Sequence, residues 1–526
     1  MPELKSIRYA AAVLSLGSAS CLLGQSSGGW PSAGYDLRNT RWAASETTLN
    51  VSSVPNLVQR WAFTTLDDVS ATPSVDSVEN VVYFPDWSGT IYKLDAFTGN
   101  LIWSHKMTDY GFPSTVISRT TPALSGSIMV LGASGTLAKA GSAGAYIIAL
   151  DPDTGSLLWQ TRVDPSPVSI VTGSPVIYDG VAYVGVSSAD EGSTAPTFRG
   201  SVVALSIYDG SILWQSYMTP LGYSGVPVWS STPVVDTTRS SLYVTTGNNY
   251  VVPVSVQQCE QNVVGNSAAT LACQSPQNYA DSIVALDLGS GAVKWAHHSS
   301  ASDAWVSACS QNKPPCPDPS GKDYDFGAGA NLFTVNINGI PTDIVGAGSK
   351  AGGYFAVDPS TGKQKWTRSV GPGGMFGGIQ WGTSTDNQHV YVALSNTKHA
   401  SYTLQPSGVT WNGASWASLD AATGQILWQV EDPGMGVVFT TLPALALGPT
   451  TVANGVMFAA SMSGEMYAFD ASNGNVLWSF MAKGSVNAAP AIVNGWLYWG
   501  SGYHHFPIKA PIGTASNTFY AFSLSQ

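Results

Sequence analysis

The sequence predicts an all-β chain folded as an eight-bladed β-propeller with Trp-containing blade motifs. Three observations lead there: a composition suited to strands and turns, a turn motif repeated along the chain, and one repeat split between the two ends. Of 526 residues, 55 are Gly, 18 Trp and 22 Tyr, while only 10% are charged. Aromatic side chains favour the pleated, half-buried surface of a strand, and glycine favours the turns between strands.

The repeat carries most of the weight. In "LDAFTGNLIW", "LDPDTGSLLW", "LSIYDGSILW", "LDLGSGAVKW", "VDPSTGKQKW", "LDAATGQILW" and "FDASNGNVLW", an acidic or polar residue is followed four positions later by Gly and four after that by Trp. The tryptophans are Trp103, Trp159, Trp214, Trp295, Trp366, Trp428 and Trp478. Asp and Gly at a short polar tip between apolar strands make a hairpin in which Gly supplies the positive φ. An eighth unit is divided: "FYAFSLSQ" at the C-terminal end has the strand before a turn, and "NLVQRWAF" supplies Trp61 without one. Pairing the two would close a ring and remove the exposed edges of an open array.

A second series of strands lies between the turns, from "ATPSVDSVENVVYF" to "AAPAIVNGWLYWG", and it also counts eight. Eight four-stranded blades give roughly 60 residues per blade, more than the 40 to 45 of WD40 repeats, so inserts are expected. A pair of β-sandwiches would leave the strict turn motif without a cause.

A formal charge of −11 and the absence of a basic run exclude a nucleic-acid groove, which needs clustered Lys and Arg. Lys5 and Arg8 precede the apolar "YAAAVLSLGSASCLLG", which has the length of a cleaved export leader and is too short for a stable membrane span. The expected organisation is therefore a leader over 1–25 and one propeller domain over 26–526, in a periplasmic or secreted protein. A lipoprotein leader would use Cys21, but Ser18 stands where such leaders usually have Leu. The four remaining cysteines fall in two polar inserts, Cys259 with Cys273 and Cys309 with Cys316. In an exported chain they suggest two local disulfides; three pairings are open, and zinc is the rival use, with spacings of 14 and 7 that do not match zinc pairs.

Function in a ring of similar blades must lie where the blades differ. The third unit places Glu191 directly after a strand in "VGVSSADEGSTAPTFRG". The fourth has Trp229 before a strand and Asn248 after one. The fifth, "GKDYDFGAGANLF", puts Asp323 and Asp325 before its strand, with Lys350 after it in "GAGSKAGGYFAVD"; the sixth opens on Gln380 and Trp381. A carboxylate and an amide oxygen are hard ligands suited to Ca²⁺, a Trp face can stack a flat cofactor, and a second carboxylate beside a cation can serve as general base. The Tyr503–His505 run and the Met375–Phe376 loop are further candidates for the channel mouth, with plain packing as the rival reading.

At these residues the sequence resembles the pyrroloquinoline quinone (PQQ) dependent quinoprotein alcohol dehydrogenases. Within them it is most similar to the polyvinyl-alcohol-dehydrogenase group, through "NTR", "TFRGSVVAL", "VWSSTPVVD", "DYDFGAG" and "GGIQWG". The resemblance implies that Glu191, Asn248 and Asp325 surround Ca²⁺, that Trp229 lies flat on the quinone, and that Asp325 is the base. It implies that Lys350 bonds the quinone oxygens and that Arg119 lies near the cofactor carboxylates, with Thr172, Ser188, Gln380 and Trp381 at other cofactor contacts. Gly327 stands where lanthanide-using relatives carry a second Asp, which favours calcium. No adjacent Cys pair is present to cover the second cofactor face, and no C-x-x-C-H motif to bind haem, so a separate acceptor such as a cytochrome c is implied. The substrate would be a small or polymeric alcohol. A non-catalytic scaffold of the outer-membrane assembly type, or a sugar-binding propeller, is the competing reading.

Overall fold

In the computed structural model, the described residues are 29–135, 143–229, 231–436, 442–505 and 512–525. The expected leader over 1–25 lies outside them. Eight antiparallel sheets of four or five strands follow one another around a ring among these residues. Blade 1 runs outward through Ser74–Asp76, Val81–Pro85, Thr90–Asp95 and Leu101–Lys106. Blades 2 to 7 repeat this meander. Blade 8 is closed as the split repeat predicts: Leu57–Thr64 pairs antiparallel with Thr518–Leu524, Trp61 opposite Ala521.

The repeated motif acts between blades. Each motif tryptophan donates its indole N–H to a carbonyl in the turn of the next blade: Trp103 to Pro152 (3.1 Å), Trp159 to Ile207 (2.7 Å), Trp428 to Ala471 (2.9 Å). The chain of contacts closes through Trp478 to Leu57 and Trp61 to Ala96, both 3.1 Å. The turn glycine lies under the same ring. Gly362 has φ +70°, and a Cβ there would come 2.5 Å from the ring of Trp295. Glycine is thus required twice, by the backbone and by the neighbouring indole. Apolar clusters fill the space between blades, as where Phe84 of blade 1 stacks on Phe519 of blade 8 with centroids 3.9 Å apart.

Both disulfides are local. Cys259–Cys273 joins two short helices, Val254–Gln261 and Ser267–Cys273, within blade 4. Cys309–Cys316 closes the loop between blades 4 and 5. The residues from Trp30 to Ala43 cross the inner strands of the ring. Backbone hydrogen bonds tie Trp30 to Val75, Leu37 to Val235, Arg38 to Leu332, Thr40 to Thr385 and Arg41 to Val452.

Candidate active site

The approach to each blade's inner strand faces the axis, so residues far apart in sequence meet there. A cavity on the axis is lined by Arg119 and Thr172 from blades 2 and 3, Trp229 and Trp381 from blades 4 and 6, and Arg41 from the crossing segment. Arg119 stacks over the Trp87 ring (4.9 Å) and donates to the hydroxyl of buried Tyr503 (3.4 Å). Thr172 is within 3.1 Å of the Ser187 hydroxyl and donates to the Trp229 carbonyl at 3.5 Å.

Beside this cavity a buried charge cluster forms around Lys350. Its ammonium donates to Asp323 Oδ1 at 2.8 Å and lies 2.6 Å from Asp325 Oδ1. Burial alone would lower the Lys350 pKa, but Asp323, Asp325 and Glu191 together raise it, so it stays charged. Burial pushes Glu191 up to about 7; Asp325 and Asp303 push the same way and Lys350 opposes them. Asp323 is 2% exposed and supports Lys350.

Local hydrogen bonds explain how the two acids are held. Asp303, buried in the insert, accepts from the backbone N–H of Lys322 (2.8 Å), Asp323 (3.1 Å) and Tyr324 (2.7 Å). The Asp325 carbonyl accepts from Lys350 N–H at 2.9 Å, and Thr246 accepts the N–H of Phe326 at 3.2 Å. Asp303 was not among the residues singled out in the sequence: it lies 20 positions before Asp323 with no motif to connect them.

Asn248 is buried, and its side-chain N–H₂ donates to the carbonyls of Asn249 (3.0 Å) and Trp305 (2.9 Å). That orients its Oδ1, which has no partner among the described residues. Both oxygens of Asp325 likewise accept no aligned hydrogen bond. Gly247 makes the approach possible: a Cβ there would fall 2.7 Å from Asp325 Oδ2 and 3.0 Å from Trp229 Nε1. Two unengaged acceptors, three acids against one lysine, and no side chain at 247 together fit a divalent cation.

The remaining expected residues are placed as follows. Gln380 is buried with its Oε1 unpartnered among the described residues. Ser188 lies behind the turn Asp190–Gly192, its hydroxyl accepting from Asp190 N–H at 3.2 Å. It braces the turn that carries Glu191. His504 and His505 pair with Asp68 and Asp67, each at 2.8 Å, in a group whose ligand-type atoms lie within 4.8 Å of one another. Met375 packs with the apolar cluster that contains Cys309, and Phe376 with the one that contains Trp87 and Tyr503.

Fold and site together define an eight-bladed propeller of the quinoprotein type, with flat indoles and a hard-ligand set at its centre. A family model described as "Outer membrane protein assembly factor BamB" matches residues 41–297 and 412–523, more than half the chain, and the chain belongs to that family. Among individual proteins it is similar to the polyvinylalcohol dehydrogenase of Sphingopyxis sp. (strain 113P3), 29% identical over 523 residues that cover 90% of this chain and 73% of that protein. The quinohemoprotein alcohol dehydrogenase of Comamonas testosteroni superposes with a TM-score of 0.69 at 20% identity, covering 94% of this chain and 80% of the other. BamB from Moraxella catarrhalis shares the fold more loosely, with a TM-score of 0.52 at 13% identity over 89% of this chain and 99% of that one. The resemblance to quinoprotein alcohol dehydrogenases expected from the motifs is borne out, and with it the reading of the chain as an enzyme.

Proposed function

We propose that this protein oxidises a secondary alcohol, polymeric alcohols such as polyvinyl alcohol included, to a ketone, using PQQ and Ca²⁺ and passing electrons to a separate acceptor such as a cytochrome c. The observation that carries the proposal is the group formed by half-buried Glu191 with buried Asn248, Asp325 and Lys350 beside the cavity wall at Trp229. Glu191, Asn248 Oδ1 and Asp325 would hold the cation, and Trp229 and Trp381 would flank the flat ring. When bound, PQQ would supply a two-electron hydride acceptor and the cation a Lewis acid beside it.

The chain's own residues supply the proton chemistry and the positioning. Asp325 accepts the hydroxyl proton of the alcohol, a contribution of typically 10² to 10⁴-fold. Lys350 keeps its charge and holds Asp323 and Asp325 in place. Asp303 fixes the loop that carries both acids. Export to the periplasm or outside the cell is part of the proposal and is supported by the leader-like N-terminus.

The test is reconstitution. Purified protein is loaded with PQQ and Ca²⁺ and assayed for dye reduction with primary, secondary and polymeric alcohols. Turnover that requires both additions and prefers secondary alcohols is expected. Absence of PQQ binding at micromolar concentration refutes the proposal and leaves the scaffold reading.

A further inference from the structure

The axial cavity has a charge pattern opposite to that of the chain. The protein carries a formal charge of −11, yet the ionisable side chains among the described residues lining this cavity are Arg41 and Arg119, with no carboxylate or imidazole. Arg119 is engaged by Tyr503 and by the face of Trp87. Arg41 is not engaged: it is 2% exposed, and its Nε and Nη1 have no hydrogen-bond partner among the described residues. Burial pulls its pKa down to about 10, and no neighbouring acid offsets that. A buried guanidinium without a counter-charge is costly, and its N–H fork matches a carboxylate or phosphate.

The fold is shaped to put Arg41 there. Its backbone is held in the left-handed region at φ 50°, its N–H donating to Gly34 (3.0 Å) and its carbonyl accepting from Val452 (3.0 Å). Non-glycine residues adopt this region rarely, and mostly where the surroundings over-determine it. Gly382 leaves the space the side chain uses, since a Cβ there would lie 3.2 Å from Arg41 Nε.

We infer that Arg41 is the anion-binding residue of this cavity, pairing with an oxyanion on the propeller axis as the second guanidinium of a two-arginine site. The oxyanion is a carboxylate of the bound cofactor or a free anion of the same chemistry, such as inorganic phosphate. Only the first source rests on the function proposed above.

Full-length protein is titrated with PQQ and, separately, with inorganic phosphate. Binding is read by quenching of tryptophan fluorescence, to which Trp229 and Trp381 in the cavity wall contribute, and by the thermal midpoint. Arg41→Met is expected to weaken PQQ binding by about 10 to 100-fold, the worth of a charge-assisted pair. Calcium affinity should stay unchanged. Phosphate binding that is lost in Arg41→Met while PQQ binds neither protein sustains the anion site and refutes the cofactor reading. Equal PQQ affinity in the parent and Arg41→Met overturns the inference, as does a parent protein that binds neither anion. Should circular dichroism show Arg41→Met unfolded, Arg41→Lys is used, with a smaller loss and affinity that falls as salt is raised; parental, salt-independent affinity then overturns it.

Discussion

Asp325→Asn separates proton transfer from cofactor binding with the smallest possible change of shape. The carboxylate is fully buried and lies against Gly247, with 2.7 Å between Oδ2 and the place a Cβ would occupy, so only an isosteric replacement fits. Asparagine keeps one oxygen for a cation. Lys350 keeps its hydrogen bond to Asp323 at 2.8 Å and does not become an unpaired buried charge. What is lost is the proton acceptor, worth about 10² to 10⁴-fold in kcat, or about 3 to 5 kcal/mol on the barrier. A competing acceptor is Glu191, whose pKa of about 7 suits a base. The assay is dye-linked steady-state turnover on reconstituted protein, with PQQ and Ca²⁺ binding measured independently. Unchanged binding with kcat down by at least the lower bound supports Asp325 as base. Turnover within a few fold of the parent refutes it and moves the role to Glu191.

Three further outcomes follow from the same structure. Gly247→Ala places a methyl group within 3.0 Å of Asp325 Oδ2, Pro227 Cγ and Trp229 Nε1; it should cost about 1 to 3 kcal/mol in urea unfolding and weaken PQQ binding measurably. Asp303→Ala removes the acceptor of three backbone N–H groups, and a loss of about 3 kcal/mol or more is expected with a fall in kcat larger than any change in KM. Asp432 is fully buried, and burial, reinforced by Glu465, raises its pKa from 3.8 to about 7 against the lowering effect of Ser461 and the Gly434 N–H. Between those values the unfolded chain has released a proton that the folded chain retains, so stability falls as pH rises from about 4 to 7 and stays lower above it. Asp432→Asn should remove that slope, a gain of up to about 4 kcal/mol at pH 8 relative to pH 4, seen by comparing urea midpoints of both proteins across pH.

The repeat was legible because its cause is local and periodic. An Asp that caps a turn, a Gly with φ near +70° and a Trp four residues on recur at fixed spacing, since each blade must lay its Trp on the next blade's Gly. The same logic exposed ring closure, for Trp61 needed a strand that only the C-terminal end offers. Polar breaks in that period exposed Glu191, Asn248, Trp229, Asp325 and Lys350 as candidates, and it was the fold that brought three acids around one lysine. The sequence by itself thus determined the architecture and the blades in which the chemistry would sit. Only the tertiary structure decided which polar groups act together, because convergence on an axis joins residues separated by hundreds of positions. Asp303 gained its role by bonding a loop 20 residues on, and Arg41 by lining the same cavity as Arg119. Neither breaks the repeat. Their significance comes from burial and from which neighbours answer their charge, and those quantities exist only once the ring has closed.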